Sequence, residues 1–203
     1  MSNIFDTASE ETFWTRRYKD QQTGWDIGYP SLPITSYFDQ VTDREARILI
    51  PGAGNAYEAE YLYRAGFEKV FVLDIARPPL DALQRRFPEF PGNQLLHGNF
   101  FEHQGKYDYV VEQTFFCSFP PLPANRHAYA RHIYELLRPG GTLVGLWFDF
   151  PLTDDLESRP FGGSKEEYLS YFEPFFEVKI FETCYNSIGP RMGKELFGVL
   201  IKR

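Results

Sequence analysis

The stretch that decides the fold is I-P-G-A-G-N-A-Y-E-A-E, which runs from Ile50 to Glu60. A β-branched run leads into its two glycines, and a helix-forming run follows them. Gly52 and Gly54 predict a tight turn in which backbone approaches a ligand, with the N–H groups that open the next helix facing its polar parts. A glycine pair also makes turns that bind nothing, so the surrounding elements must decide between these interpretations.

Strands and helices alternate on both sides of this turn. The pattern predicts strands at 46–50, 69–74, 94–97, 107–113 and 142–148, and helices at 55–65, 78–87 and 124–137. Such alternation indicates an α/β fold with a doubly wound, Rossmann-like, mostly parallel sheet.

The two ends of the chain add further elements. Capping-box spacings at Thr7 and Ser164 predict helices at about 8–20 and 165–172, with a loop from Gly24 to Pro33. The last two strands, at about 176–183 and 194–201, are joined by a loop too short for a helical crossover, so they are expected to pair antiparallel. The result is a seven-stranded sheet with an antiparallel C-terminal hairpin, the arrangement of class I methyltransferases.

An acidic residue stands where such a sheet binds a nucleoside. Asp74 ends the second predicted strand, and a carboxylate at that place accepts the hydroxyl protons of a ribose. A dinucleotide site would prefer a third glycine where Ala56 or Tyr57 stands, so the turn favours S-adenosylmethionine (SAM). An NAD-dependent oxidoreductase remains the alternative. After the third strand, Asn99 is placed to hydrogen-bond the adenine amino group and Phe100 to pack on the ring.

Composition narrows the class of protein. The chain has 203 residues and a net charge of −7, which argues against nucleic-acid binding. It has no apolar run of about 18 residues and no secretion signal, so a cytoplasmic protein that neither spans a membrane nor binds nucleic acid is expected. Its two cysteines are expected to be reduced. We expect one SAM-binding domain over 1–203, with residues 1–45 as an N-terminal helix and cofactor-covering segment.

A family resemblance rests on motifs in order along nearly the whole chain. They are F-W-T-R-R-Y, T-G-W-D-I-G, I-P-G-A-G-N, V-L-D, H-G-N-F-F, Y-D-Y-V-V-E-Q-T-F-F-C, Y-A-R-H-I-Y-E-L-L-R-P-G-G, R-P-F and G-K-E-L-F-G. Together they resemble the thiopurine S-methyltransferase superfamily, and within it the thiol and halide methyltransferase branch.

The resemblance implies that N-terminal aromatic residues, here Trp14, Tyr18 and Trp25, close over SAM. Aromatic faces attract a sulfonium cation, which makes this role physically reasonable, although the first two rings also suit the core face of a helix. Tyr18 stands where the family usually has Trp, and Asn99 where it often has Asp. Gln113, counted with the cofactor-binding residues, replaces Arg of the thiopurine branch or Tyr of the halide branch.

The implied reaction is in-line methyl transfer from SAM to a small acceptor, leaving S-adenosylhomocysteine (SAH). An anion such as a halide, thiocyanate or hydrosulfide needs no general base, so the acceptor pocket is expected to be a set of rings and small groups. The candidates are Trp25, Phe115, Phe116, Cys117 and Phe148, the last standing where plant halide enzymes have Tyr. A thiopurine-type aromatic thiol is the alternative acceptor, and a non-catalytic SAM-binding protein is the alternative of another class. A monomer is the default expectation.

Overall fold

The computed structural model describes residues 6–152 and 159–203. In that part of the chain, seven strands form one sheet in the order β3-β2-β1-β4-β5-β7-β6. The strands are β1 (Ile48–Pro51), β2 (Val70–Asp74), β3 (Leu95–His97), β4 (Tyr107–Gln113), β5 (Leu137–Phe148), β6 (Phe176–Thr183) and β7 (Glu195–Lys202). The helices are α1 (Thr7–Lys19), α2 (Leu32–Phe38), α3 (Tyr57–Arg64), α4 (Arg77–Arg86), α5 (Pro123–Leu136) and α6 (Lys165–Phe172).

The direction of each strand agrees with the expected topology. Strands β1 to β5 pair in parallel, whereas β7 lies antiparallel between β5 and β6. The chain builds outward from β1 to β3 and then returns to place β4 on the other side of β1. The strand order therefore reverses between β1 and β4, and the carboxyl ends of these strands mark the place where such sheets bind ligands.

Helices cover both faces of the sheet, which makes it doubly wound as predicted. One core cluster joins Leu49, Leu143 and Trp147 of the sheet to rings of α5 and α6, such as Tyr129 and Phe172. The other joins alternate sheet residues to α2, α3 and α4. Because side chains alternate across a strand, the apolar runs of β1 and β5 supply both clusters at once.

Two local predictions differ from the structure, and a third is confirmed. Asp6, not Thr7, precedes the first helix, and its side chain makes no capping bond. The segment after Trp25 was expected to be a loop as far as Pro33, but α2 begins at Leu32, with the proline in its first turn where its missing N–H costs nothing. The predicted cap at Ser164 is confirmed, since its side chain accepts the N–H of Glu167.

Candidate cofactor and acceptor site

The glycine turn after β1 adopts left-handed backbone conformations. Gly52, Gly54 and Ala56 have φ values of +56°, +55° and +53°. Residues with a Cβ adopt this region at a cost, so glycine at the first two positions is explained by conformation alone. The turn also directs the N–H of Gly54 to the carboxylate of Asp74, at 3.0 Å.

Asp74 is buried at the end of β2, with 6% of its surface exposed. Its second carboxylate oxygen accepts the N–H of Ala76 at 2.8 Å. Burial raises the pKa of Asp74 to about 6, and the N–H groups of Ala76 and Gly54 limit that rise. A carboxylate has about four lone-pair positions, so those that backbone N–H groups leave open can accept hydroxyl protons from a ligand.

A cavity of 640 Å³ opens at this edge of the sheet. Its size lies within the roughly 300–1,000 Å³ typical of small-molecule sites. The lining comes from the N-terminal segment, the carboxyl ends of β1, β2 and β4, and the segments that follow β3 and β5. Of the predicted site residues, it includes Trp14, Tyr18, Trp25, Gly52, Gly54, Asp74, Asn99, Phe100, Gln113, Phe115, Cys117 and Phe148.

Three aromatic rings of the N-terminal segment pack together over this cavity. The ring of Trp25 meets those of Trp14 and Tyr18 edge to face, with centroids 5.5 and 5.8 Å apart. The hydroxyl oxygen of Tyr18 lies 2.9 Å from the point that a Cβ on Gly54 would occupy. These three rings, the aromatic cover, therefore extend to the glycine turn.

Carboxylates that the sequence analysis did not single out lie beside the same turn. Asp26 accepts hydrogen bonds from the side chain of Asn55 and from the N–H of Gly28. Glu58 is buried in the first turn of α3 and accepts the N–H of Ser31 at 2.8 Å, and its burial raises its pKa. For Asp26, the only sequence signal of a place in the site was its position next to Trp25. For Glu58, no local sequence feature gave such a signal.

Asn99 and Phe100 both line the cavity, but their side chains already have protein partners. Asn99 accepts the N–H of Phe101 and donates to the hydroxyl of Thr7, both at 2.9 Å. The Phe100 side chain is 5% exposed and packs edge to face on Phe115, with centroids 5.3 Å apart. Its ring is mostly a core ring, which leaves only a small part of it for a ligand.

The turn after β4 forms the end of the cavity at which the acceptor was predicted (the predicted acceptor end). Cys117 is buried there, and burial raises the pKa of its thiol, so it is a neutral wall group. Gln113 lines the same end, and in the described structure its side-chain oxygen is buried without a hydrogen-bond partner. A buried acceptor without a partner is costly, so this oxygen is free to receive a ligand donor.

Phe116 was expected in the acceptor pocket, and the structure corrects this placement. Its side chain does not line the cavity and instead packs edge to face on Tyr129 and Tyr168 in the core. The neighbouring Phe115, which was also predicted in the pocket, does line the cavity. The short 3-10 helix Phe116–Ser118 explains the change, because it turns successive side chains away from the alternation that an extended strand would give.

Comparison with known proteins identifies the family. A protein-family model described as thiopurine S-methyltransferase matches residues 9–201 of this chain. The chain belongs to the thiopurine S-methyltransferase family. It is a SAM-dependent methyltransferase.

Individual relatives agree with this assignment. This methyltransferase is 29% identical over 191 residues to Probable thiol methyltransferase 2 of Arabidopsis thaliana, covering 91% of this chain and 82% of the relative. It is 29% identical over 197 residues to Thiocyanate methyltransferase 1 of Brassica oleracea, covering 93% and 84%. The solved 1,6-didemethyltoxoflavin-N1-methyltransferase of Burkholderia thailandensis shares the fold, with a TM-score of 0.73, 19% identity, and 96% and 88% coverage.

The residues that line the cavity fit SAM. Asp74 offers acceptors for ribose hydroxyls, the aromatic cover offers faces to a sulfonium, and Gln113 offers an unpaired acceptor.

No group of three or more potential metal ligands occurs among residues 6–152 and 159–203. In the same residues, no helix combines the length and the apolar character needed to cross a membrane.

Proposed function

We propose that this methyltransferase acts on a small anionic or thiol acceptor, such as a halide, thiocyanate, hydrosulfide or a simple thiol. SAM, when bound, supplies a methyl group on a positively charged sulfur. The acceptor end of the cavity carries the argument, because it holds cationic side chains and rings but, among its described lining residues, no histidine. A neutral hydroxyl or thiol must give up a proton to a base, whereas an anion or a thiolate arrives already able to attack.

Charge is distributed unevenly along the cavity. Asp26, Glu58 and Asp74 surround the glycine turn, where a cationic cofactor would lie. Arg159, Arg191 and Lys194 line the predicted acceptor end, where Arg159 contacts Ser118 and Arg191 lies over Phe148. Such a distribution would favour the sulfonium at the first end and an anionic acceptor at the second.

The three cations at the acceptor end are not equivalent. Arg159 is paired with Glu10, and Arg191 is paired with Glu195, whose side chain is almost fully buried. Lys194 is exposed at the rim and has no ion-pair partner among the described residues. Lys194 therefore contributes the net positive charge that would attract an acceptor from solution.

The roles of the chain are binding, orientation and exclusion of water. The Asp74 carboxylate and the rings of Trp14, Tyr18 and Trp25 hold the cofactor, with Asn99 and Phe100 at its adenine end and Gln113 toward the acceptor. Phe115, Cys117 and Phe148 shape a narrow apolar space in which an anion loses its hydration shell. Holding an acceptor about 3 Å from the methyl carbon, in line with the breaking bond, can lower the barrier by roughly 7–11 kcal/mol in favourable cases.

The test is a panel of acceptors with SAM and the purified enzyme. Iodide, thiocyanate and hydrosulfide give volatile methyl products that headspace gas chromatography detects, and a thiopurine is followed by liquid chromatography. We expect turnover of the small anions, with a KM that rises in Lys194→Ala while kcat is retained. Turnover of the thiopurine alone would overturn the assignment and favour an aromatic thiol acceptor. SAH binding without any turnover would favour a non-catalytic SAM-binding protein.

A further inference from the structure

Helix α1 carries Trp14 and Tyr18, two of the three rings that cover the cavity. None of the residues of α1 is buried, so it does not take part in either core cluster. Nevertheless, Glu10, Trp14 and Tyr18 on one side of it line the cavity. Its Trp14 and Tyr18 rings pack on Trp25, but none of its residues is buried, so polar contacts are expected to supply part of its orientation.

Glu10 makes two such contacts, one with each carboxylate oxygen. One oxygen accepts the indole N–H of Trp14 at 3.0 Å, which orients the ring from its own helix. The other accepts from the guanidinium of Arg159 at 2.9 Å, a residue 149 positions away along the chain. The two side chains of this ion pair are 27% and 15% exposed, so solvent only partly screens it.

Arg159 extends the connection to the acceptor end. Its Nε donates to the carbonyl oxygen of Ser118 at 2.7 Å. Ser118 follows Cys117 in the turn after β4, so the carbonyl belongs to the acceptor wall. The guanidinium carbon also lies 5.6 Å from the centroid of the Trp14 ring, within the range of a cation–π contact.

We propose that Glu10 and Arg159 are positioning residues that set the Trp14 ring over the cofactor and connect that cover to the acceptor wall at Ser118. The contacts form one continuous chain: the Ser118 carbonyl, the Arg159 guanidinium, the Glu10 carboxylate and the Trp14 indole. Breaking the chain at Glu10 releases only the cover. Breaking it at Arg159 releases the cover and one support of the acceptor wall.

The test measures SAH binding and acceptor kinetics separately. Calorimetric titration without acceptor is expected to give a dissociation constant for SAH about tenfold higher in Glu10→Ala and in Arg159→Ala. The double variant is expected to be no weaker than the weaker single variant, since both substitutions remove the same connection. Only Arg159→Ala is expected to raise the acceptor KM as well.

A substitution at Trp14 separates positioning from general support of the helix. Trp14→Phe keeps a ring but removes the indole N–H, so it is expected to weaken SAH binding in the native background and to change little in Glu10→Ala. The Arg16→Ala/Asp20→Ala double variant is the matched control. That ion pair lies on the same helix with 81% and 44% of its side chains exposed, and its loss is expected to leave SAH binding within about twofold.

The expected change in acceptor KM rests on the proposed function, whereas the expected change in SAH binding does not. SAH affinities within twofold of the native value for both single variants would overturn the proposal, as would additive losses in the double variant. Thermal unfolding without ligand, expected to be unchanged, verifies that the variants fold. If no acceptor in the panel is methylated, the proposed function fails while the SAH measurements still decide this inference.

Discussion

The ring of Phe115 fills the space that a side chain on Gly52 would need. A Cβ built on Gly52 would lie 2.0 Å from Cδ2 of Phe115, far inside van der Waals contact. Gly52 also has a φ of +56°, which side chains disfavour. The turn after β1 and the turn after β4 are therefore fitted to each other, and the cavity is shaped by their contact.

We expect Gly52→Ala to damage both stability and binding. The added methyl must displace the Phe115 ring, and the backbone conformation becomes unfavourable. The free energy of unfolding is expected to fall by about 2–4 kcal/mol. Urea unfolding measures the first effect and SAH titration the second.

Gly92→Ala is the matched control for this substitution. A Cβ at Gly92 would meet only Gln84, at an ordinary distance of 3.5 Å. Its effect on the free energy of unfolding is expected to stay within about 0.5 kcal/mol. Equal losses in the two variants would contradict the role assigned to the Gly52–Phe115 contact.

The sequence predicted the parts of the structure that are encoded locally. The apolar runs of β1, β2 and β4, the glycines of the turn and the acid at the end of β2 each have a signature within a few residues. Because parallel strands bring their carboxyl ends to one edge, those signatures also predicted which residues would meet. The cavity gathers Gly54, Asp74 and Gln113 as the topology required.

Contacts between distant segments had no such signature. The pairing of Arg159 with Glu10 and that of Asp26 with Asn55 depend on how the N-terminal segment lies over the sheet. The strand pattern also could not show that the chain after Gln113 turns into a short 3-10 helix. For that reason it predicted both Phe115 and Phe116 as pocket walls, although only Phe115 of the two lines the cavity.

The Asp74 carboxylate is expected to make SAH binding dependent on pH. Burial raises its pKa to about 6, so below that pH the group carries a proton and loses acceptor capacity toward ribose hydroxyls. Affinity should therefore be complete above pH 7 and decline as the pH falls through 6. Calorimetric titration between pH 5 and 8 measures this dependence.

Asp74→Asn tests whether this residue is the titrating group. The amide has nearly the same size, but it cannot titrate and offers one acceptor oxygen in place of two. We expect SAH affinity at pH 7.5 to fall at least tenfold, which is about 1.4 kcal/mol, and the dependence near pH 6 to disappear. A variant that keeps the native pH profile would assign the titration to another group.

Glu112 holds the turn after β4 by hydrogen bonds, and its side chain is fully buried. One oxygen accepts the N–H groups of Phe115 and Phe116, at 2.6 and 2.9 Å, and the other accepts the hydroxyl of Tyr129. Glu112→Ala leaves these buried donors without a partner, so we expect a loss of about 2–4 kcal/mol in the free energy of unfolding. Glu112→Gln keeps an acceptor for the two N–H groups and is expected to be much milder.

The same carboxylate predicts a dependence of stability on pH. Burial raises the pKa of Glu112 from 4.5 to about 7, so the folded protein binds this proton more tightly than the unfolded chain does. The corresponding stabilisation is complete below pH 4.5 and is lost as the pH rises through 7. From pH 5 to pH 8, the free energy of unfolding of the native protein should therefore fall relative to that of Glu112→Gln. Urea unfolding of both proteins at both pH values measures this change.

The aromatic cover is expected to distinguish SAM from SAH, because only SAM carries a positive sulfur. Trp25→Leu removes the ring but keeps an apolar side chain, so SAM binding should weaken by about 0.5–2 kcal/mol and SAH binding by less. Trp147→Phe provides the comparison, since Trp147 is 2% exposed in the core and does not line the cavity. Its substitution should leave the ratio of the two dissociation constants unchanged. If Trp25→Leu also leaves that ratio unchanged, the ring contacts another part of the cofactor and the cation–π role is wrong.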